Sequence, residues 1–84
     1  MNELESLKKR IIYRASYRGT KEMDILLGNF VNKYINEMNK SSLRELENFL
    51  NLEDEDILNF YQHGIVKNNI DKNGISKIFK DFKI

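Results

Sequence analysis

Cysteine is absent from this 84-residue chain, which excludes disulfides, thiolate nucleophiles and cysteine-based zinc sites together. The same absence fits a reducing compartment. Proline is absent as well, which suits a largely helical chain and leaves the helix ends to Gly, Asn and Ser. His63 is the only histidine, so Ser–His and Cys–His arrangements have no partners to be built from. The longest apolar runs are two or three residues, far short of the ~20 that a membrane-spanning helix needs. Met1 to Leu7 carry Glu3 and Glu5 and no apolar h-region, so no secretory signal peptide is expected.

What remains is one small domain, expected to run over residues 1–84. A chain of this size buries only ~60% of its unfolded surface, so its stability margin is thin. Net charge is +1, but the charges are unevenly placed. Residues 1–21 hold Lys8, Lys9, Arg10, Arg14, Arg18 and Lys21 against Glu3 and Glu5, whereas 37–56 hold seven acids against Lys40 and Arg44. Such polarity points to a directional protein partner or to a basic patch for a polyanion.

Helical periodicity recurs in every apolar segment, and none alternates for long, which predicts an all-α fold with no sheet. Over about 3–17, Leu4, Leu7, Ile11 and Ala15 form a stripe that Ile12 widens. Arg10, Arg14 and Arg18 fall at i, i+4 and i+8, a basic ridge flanked by Tyr13 and Tyr17 if the helix reaches residue 18. That ridge reads either as a solvated face or as a docking or phosphate-contacting one. The second segment, about 20–38, carries Met23, Leu27, Phe30, Tyr34 and Met38 on one stripe, broadened by Leu26, Val31 and Ile35. We expect it to be the central helix, with Phe30 and Tyr34 in the core rather than in a ligand pocket. Gly28 inside it is expected at a close helix crossing.

Ser42-Leu43-Arg44-Glu45 reads as a capping box, opening a helix of about 43–51 with Leu43, Leu46, Phe49 and Leu50 inward. Glu53 to Asp56 opens a fourth helix that buries Ile57, Phe60 and Tyr61. These four acids are read as first-turn carboxylates favoured by the helix dipole rather than as a cation site. His63-Gly64 ends that helix. The loop from Asn68 to Gly74 imitates the start of a calcium loop, but Lys80 stands where a bidentate glutamate is needed, which rejects calcium. A last helix, about 74–83, is predicted to bury Ile75, Ile78, Phe79 and Phe82.

Between the first two segments lies Arg18-Gly19-Thr20-Lys21-Glu22-Met23-Asp24. Gly19 is expected to break the first helix in a left-handed conformation, and Thr20 to cap the second, with Glu22 and Asp24 at its positive end. Capping alone does not require Arg18, Gly19 and Glu22 to be grouped on one short turn, where the charges are expected to be exposed. That grouping, with Asp24, Gly28 and Phe30 after it and Asp56-x-x-Asn59-Phe60-Tyr61-x-His63-Gly64 further on, resembles the succinate dehydrogenase assembly factor family. The resemblance runs from about Arg10 to Phe82. Phe60 stands where that family usually has tryptophan, and the family's prolines near Asp54 and after Gly64 are missing.

The resemblance implies a compact five-helix bundle that is not an enzyme and holds no cofactor stably. It implies binding to the flavoprotein subunit of succinate dehydrogenase, and to that of fumarate reductase by extension. On that subunit it would promote covalent attachment of FAD, through a partner histidine and the flavin's 8α-methyl group. The partner-binding residues it implies are Arg18, Gly19, Glu22, Asp24 and Arg14, with no catalytic or metal-ligating set. We expect a monomer when free and a bacterial cytoplasmic location, since no mitochondrial presequence is apparent. The competing reading is a small nucleic-acid-binding helical module using the Arg10–Arg14–Arg18 ridge. Near-neutral charge and the lack of a helix-turn-helix signature stand against it.

Overall fold

Each helix begins where a short polar side chain, or a run of acids, meets the first apolar-periodic residue. A computed structural model describes residues 2–83. It contains α1 (Glu3–Ser16), α2 (Lys21–Tyr34), α3 (Lys40–Leu50), α4 (Asp54–His63) and α5 (Gly74–Asp81), with 3₁₀ turns at Ile35–Glu37 and Ile70–Lys72. Among the described residues there is no strand. Asn2, Thr20, Asn39 and Asn73 each accept a hydrogen bond from a backbone N–H of the first turn that follows, satisfying donors that have no partner within the helix. Thr20 therefore caps α2 as expected, through the Met23 N–H at 3.2 Å. The predicted box at Ser42 does not form. Asn39 takes the cap by accepting from the Ser42 N–H, and α3 starts three residues earlier than the spacing suggests.

One apolar cluster runs through all five helices: Leu7, Ile11 and Ala15 of α1; Met23 to Val31 of α2; Leu43 to Leu50 of α3; Ile57 and Phe60 of α4; Ile75 and Phe79 of α5. Phe30 is completely buried. Its ring meets Tyr34, Phe79 and Phe82 at centroid separations of 5.0–5.3 Å, the last two edge-on, an arrangement that aromatic quadrupoles favour. Phe49 and Tyr61 approach Phe79 from other sides. The Tyr61 hydroxyl donates to the Phe82 carbonyl at 2.6 Å and ties the last residues to α4. Phe30 is thus a core residue, as predicted, whereas Tyr34 is only partly buried against the core.

The stripes are narrower than their sequences suggest. Leu4, Ile12 and Ile78 keep 37%, 38% and 41% of their surface exposed, so they lie at the margins of the buried faces of α1 and α5. On the other flank of α5's buried face lies Ser76, buried with its hydroxyl donating to the Ile70 carbonyl. The long second segment stops at Tyr34 and tightens into the 3₁₀ turn, so Met38 lies outside α2. Nor does Gly28 mark a close helix crossing, since open space stands where a Cβ would be. Gly64 does adopt the left-handed conformation that ends α4, at φ +69°.

Candidate functional site

The turn between α1 and α2 is held by two carboxylates, Asp24 of α2 and Asp54 of α4. α1 ends at Ser16, with Tyr17 following at φ −124°, ψ 71°, so Arg18 leaves the helix axis. Its guanidinium swings across to the α3–α4 corner. There Nε donates to Asp54 Oδ1 at 2.7 Å, Nη1 to the Leu50 carbonyl at 2.7 Å and Nη2 to the Leu52 carbonyl at 3.1 Å. Nη2 also lies 2.6 Å from Asp54 Oδ1. The Leu50 carbonyl closes α3 and that of Leu52 lies in the turn just after it, at the negative end of that helix, where a cation is favoured. Asp54 sits in the first turn of α4, where an anion is favoured. One guanidinium thus meets both needs, with its five donors set in a fixed fork.

The second Asp54 oxygen accepts the Gly19 N–H at 2.9 Å. The Arg18 N–H donates to Asp24 Oδ1, in the first turn of α2. The turn is therefore clamped from α4 by Asp54 and from α2 by Asp24. Arg18 is the opposite of the exposed charge expected from the sequence: its side chain is 10% exposed and that of Asp54 26%. Gly19 is not in the left-handed region either, since Gly64 alone among the glycines has positive φ. What the position needs is room. A Cβ on Gly19 would stand 3.2 Å from Asp54 Oδ2, so the carboxylate that accepts the Gly19 N–H would have to give by a few tenths of an ångström.

The predicted basic ridge is tied to the neighbouring helices along its length, although Arg10 and Arg14 stay exposed and only Arg18 is turned inward. Arg10 pairs with Glu47, Arg14 donates to Asn51 and Arg18 reaches Asp54, so successive arginines are matched by successive polar residues of α3 and α4. The ridge is a seam between helices. Beside Arg10, the Glu47 carboxyl is held below the ordinary carboxylate range, first by its hydrogen bond to that guanidinium.

Glu22 is different. It is exposed, and among the described residues its side chain takes part in no hydrogen bond or ion pair. Hollows lie on both sides of the turn. On the α1 side an open groove of about 530 Å³ is bordered by Tyr13, Arg14, Tyr17 and the 50–55 corner. Tyr13 and Tyr17 stack there with centroids 4.6 Å apart, 65% and 70% exposed. On the α2 side, Glu22 borders an apolar hollow of about 160 Å³ with Ile25, Leu26, Leu58, Tyr61 and Gln62. Of the five residues named from the sequence, Arg18, Gly19 and Asp24 form one hydrogen-bonded unit, Arg14 lines its α1 flank, and Glu22 faces away. Reading the sequence missed Asp54, because its partner lies 36 residues earlier and the run Glu53–Asp56 disguises it as one helix-start acid among four. It also missed Ile25 and Leu58, whose partial exposure depends on where α2 and α4 diverge.

No three-residue His/Asp/Glu group suited to a metal ion occurs among the described residues. Nor is any described helix long and apolar enough to cross a membrane. The sequence profile of the family described as flavinator of succinate dehydrogenase matches residues 9–83. The chain belongs to this family. The Dictyostelium discoideum protein named succinate dehydrogenase assembly factor 2, mitochondrial, is 37% identical over 60 residues, 71% of this chain and 43% of that one. The Saccharomyces cerevisiae protein of the same name is 41% identical over 54 residues, 64% of this chain and 33% of its own. An Acetobacter pasteurianus protein, FAD assembly factor SdhE, is 36% identical over 56 residues, 67% of this chain and 51% of its own. The chain thus spans about half, or less, of the length of these curated relatives.

Proposed function

We propose that this protein is an assembly factor that binds the flavoprotein subunit of succinate dehydrogenase and promotes covalent attachment of FAD to it. Family membership over residues 9–83 carries this reading, and the bacterial relative named as an FAD assembly factor is in keeping with it. The protein acts as a non-catalytic partner: the flavin and the residue that bonds to it belong to the flavoprotein. The contact surface is the Glu22 side of the first interhelix turn. A turn held by Asp24 and Asp54 holds its shape when the partner arrives, so little ordering is lost on binding. A rigid surface of this kind can keep a partner loop in a reactive geometry. Glu22 makes the charged contact, whereas Arg18, Gly19 and Asp24 hold the surface that presents it. The location proposed is the bacterial cytoplasm, where the flavoprotein subunit is made.

The test is co-expression of a succinate dehydrogenase flavoprotein with and without this chain, followed by denaturing electrophoresis and in-gel flavin fluorescence. Only covalently bound flavin survives denaturation. A fluorescent flavoprotein band that strengthens several-fold with the chain present supports the reading, and equal bands overturn it.

A further inference from the structure

The apolar hollow beside Glu22 is one end of a longer groove. A second hollow of about 410 Å³, bordered by Gly19, Thr20, Met23, Asp54, Glu55 and Leu58, shares Leu58 with the first. Together they run between α2 and α4, which do not pack closely along this line. Met23 and Leu26 form a buried floor, Leu58 is half-covered, and Ile25 stands 47% exposed at the edge. The charges on the rim are all of one sign. Asp54 is neutralised by Arg18, which leaves Glu22 on α2 and Glu55 on α4 as exposed carboxylates, with no lysine or arginine lining either hollow.

We infer that this groove seats a segment of the flavoprotein in which an apolar side chain is flanked by lysine or arginine. The inference rests on the proposed function and specifies the partner's chemistry at that surface. The apolar side chain covers Ile25 and Leu58, and the cations pair with Glu22 and Glu55. An acidic or purely polar segment fits neither feature, because it would set like charges together and leave the apolar floor wet. The groove is also continuous with the clamped turn, since Gly19, Thr20 and Asp54 form its upper end.

The experiment titrates the purified flavoprotein subunit, prepared without covalent flavin, against the parent chain, Ile25→Asp, Glu55→Lys and Ile78→Asp. Ile78 is an equally exposed isoleucine on α5 that borders neither hollow and serves as the control. Ile25→Asp is expected to weaken binding about tenfold or more, as loss of a central apolar anchor does, with Ile78→Asp within about twofold of the parent. Glu55→Lys is expected to weaken binding and to reduce its salt dependence. Should Ile25→Asp lose its fold, Glu55→Lys carries the test alone, since its side chain is solvated. Parent-like binding by Ile25→Asp and Glu55→Lys would overturn the groove inference and leave the function standing. If the parent chain itself does not bind, both fall.

Discussion

Arg18 and Glu22 lie four residues apart, carry opposite charges and belong to one short motif, yet the fold puts them to different uses. Each of the three guanidinium nitrogens of Arg18 donates inside the molecule, joining the end of α1 to the α3–α4 corner. Glu22 has no partner among the described residues and faces solvent beside an apolar groove. The difference teaches that residues of one motif need not share one role. A buried charge left unpaired is costly, so Arg18 is matched where it stands. An exposed carboxylate needs no match and stays available to a partner.

The largest effect is expected in the core, away from both residues. Phe30→Ala removes the ring on which Tyr34, Phe79 and Phe82 converge and should cost ~3–5 kcal/mol, a large part of the stability of a domain this small. Denaturant titration followed at 222 nm measures it, and parent-like stability would return Phe30 to the candidates for ligand contact.

Arg18→Ala comes next. It removes the cation beside Asp54 and the donors to the Leu50 and Leu52 carbonyls, at an expected ~2–4 kcal/mol. Arg18→Lys should recover only part of this, because one ammonium cannot reproduce the fork. Flavin attachment should fall in step with the melting temperature in both variants. Loss of attachment by a fully stable Arg18→Ala protein would break the comparison and make Arg18 a contact residue.

Glu22→Gln sharpens the comparison from the other side. Its stability cost should stay within ~0.3–1 kcal/mol, the range of a first-turn acid at a helix N-terminus, while covalent flavin on the partner drops sharply. Normal flavin incorporation by the folded variant would remove Glu22 from the proposed contact.

The smallest effect concerns the exposed Arg10–Glu47 pair, which contrasts with the half-buried Arg18–Asp54 pair. The folded-state pKa of Glu47 lies below its ordinary value. Its contribution is therefore full above the ordinary carboxylate range and is lost as pH falls through the lowered value. Glu47→Gln should slightly lower Tm at neutral pH, leave it unchanged at strongly acidic pH, and lose even that difference at high salt. A Tm difference that persists at acidic pH would show that packing, not charge, is what Glu47 contributes.

Much of this molecule was determined by its sequence alone. The number of helices, the inward faces of α2 and α3 and the stop at Gly64 follow from a 3.6-residue apolar period and from a glycine free to turn left-handed. Those are local properties, carried by residues a few positions apart. Which members of a stripe are covered was not local. Leu4, Ile12 and Ile78 have the right spacing, but the neighbouring elements leave them partly exposed. The cap of α3 passed from Ser42 to Asn39, since several residues in that run can accept a first-turn N–H and the path out of the 3₁₀ turn selects among them.

The candidate turn divides in the same way. Its position, and its resemblance to a known family, could be read from Arg18, Gly19, Glu22 and their successors. That Arg18 is internal, that Gly19 is there for room and not for positive φ, and that Asp54 completes the turn were decided only by tertiary structure. The reason is physical: a guanidinium extends far enough to choose among distant partners, and only the folded chain brings Leu50, Leu52 and Asp54 within hydrogen-bonding distance of residue 18.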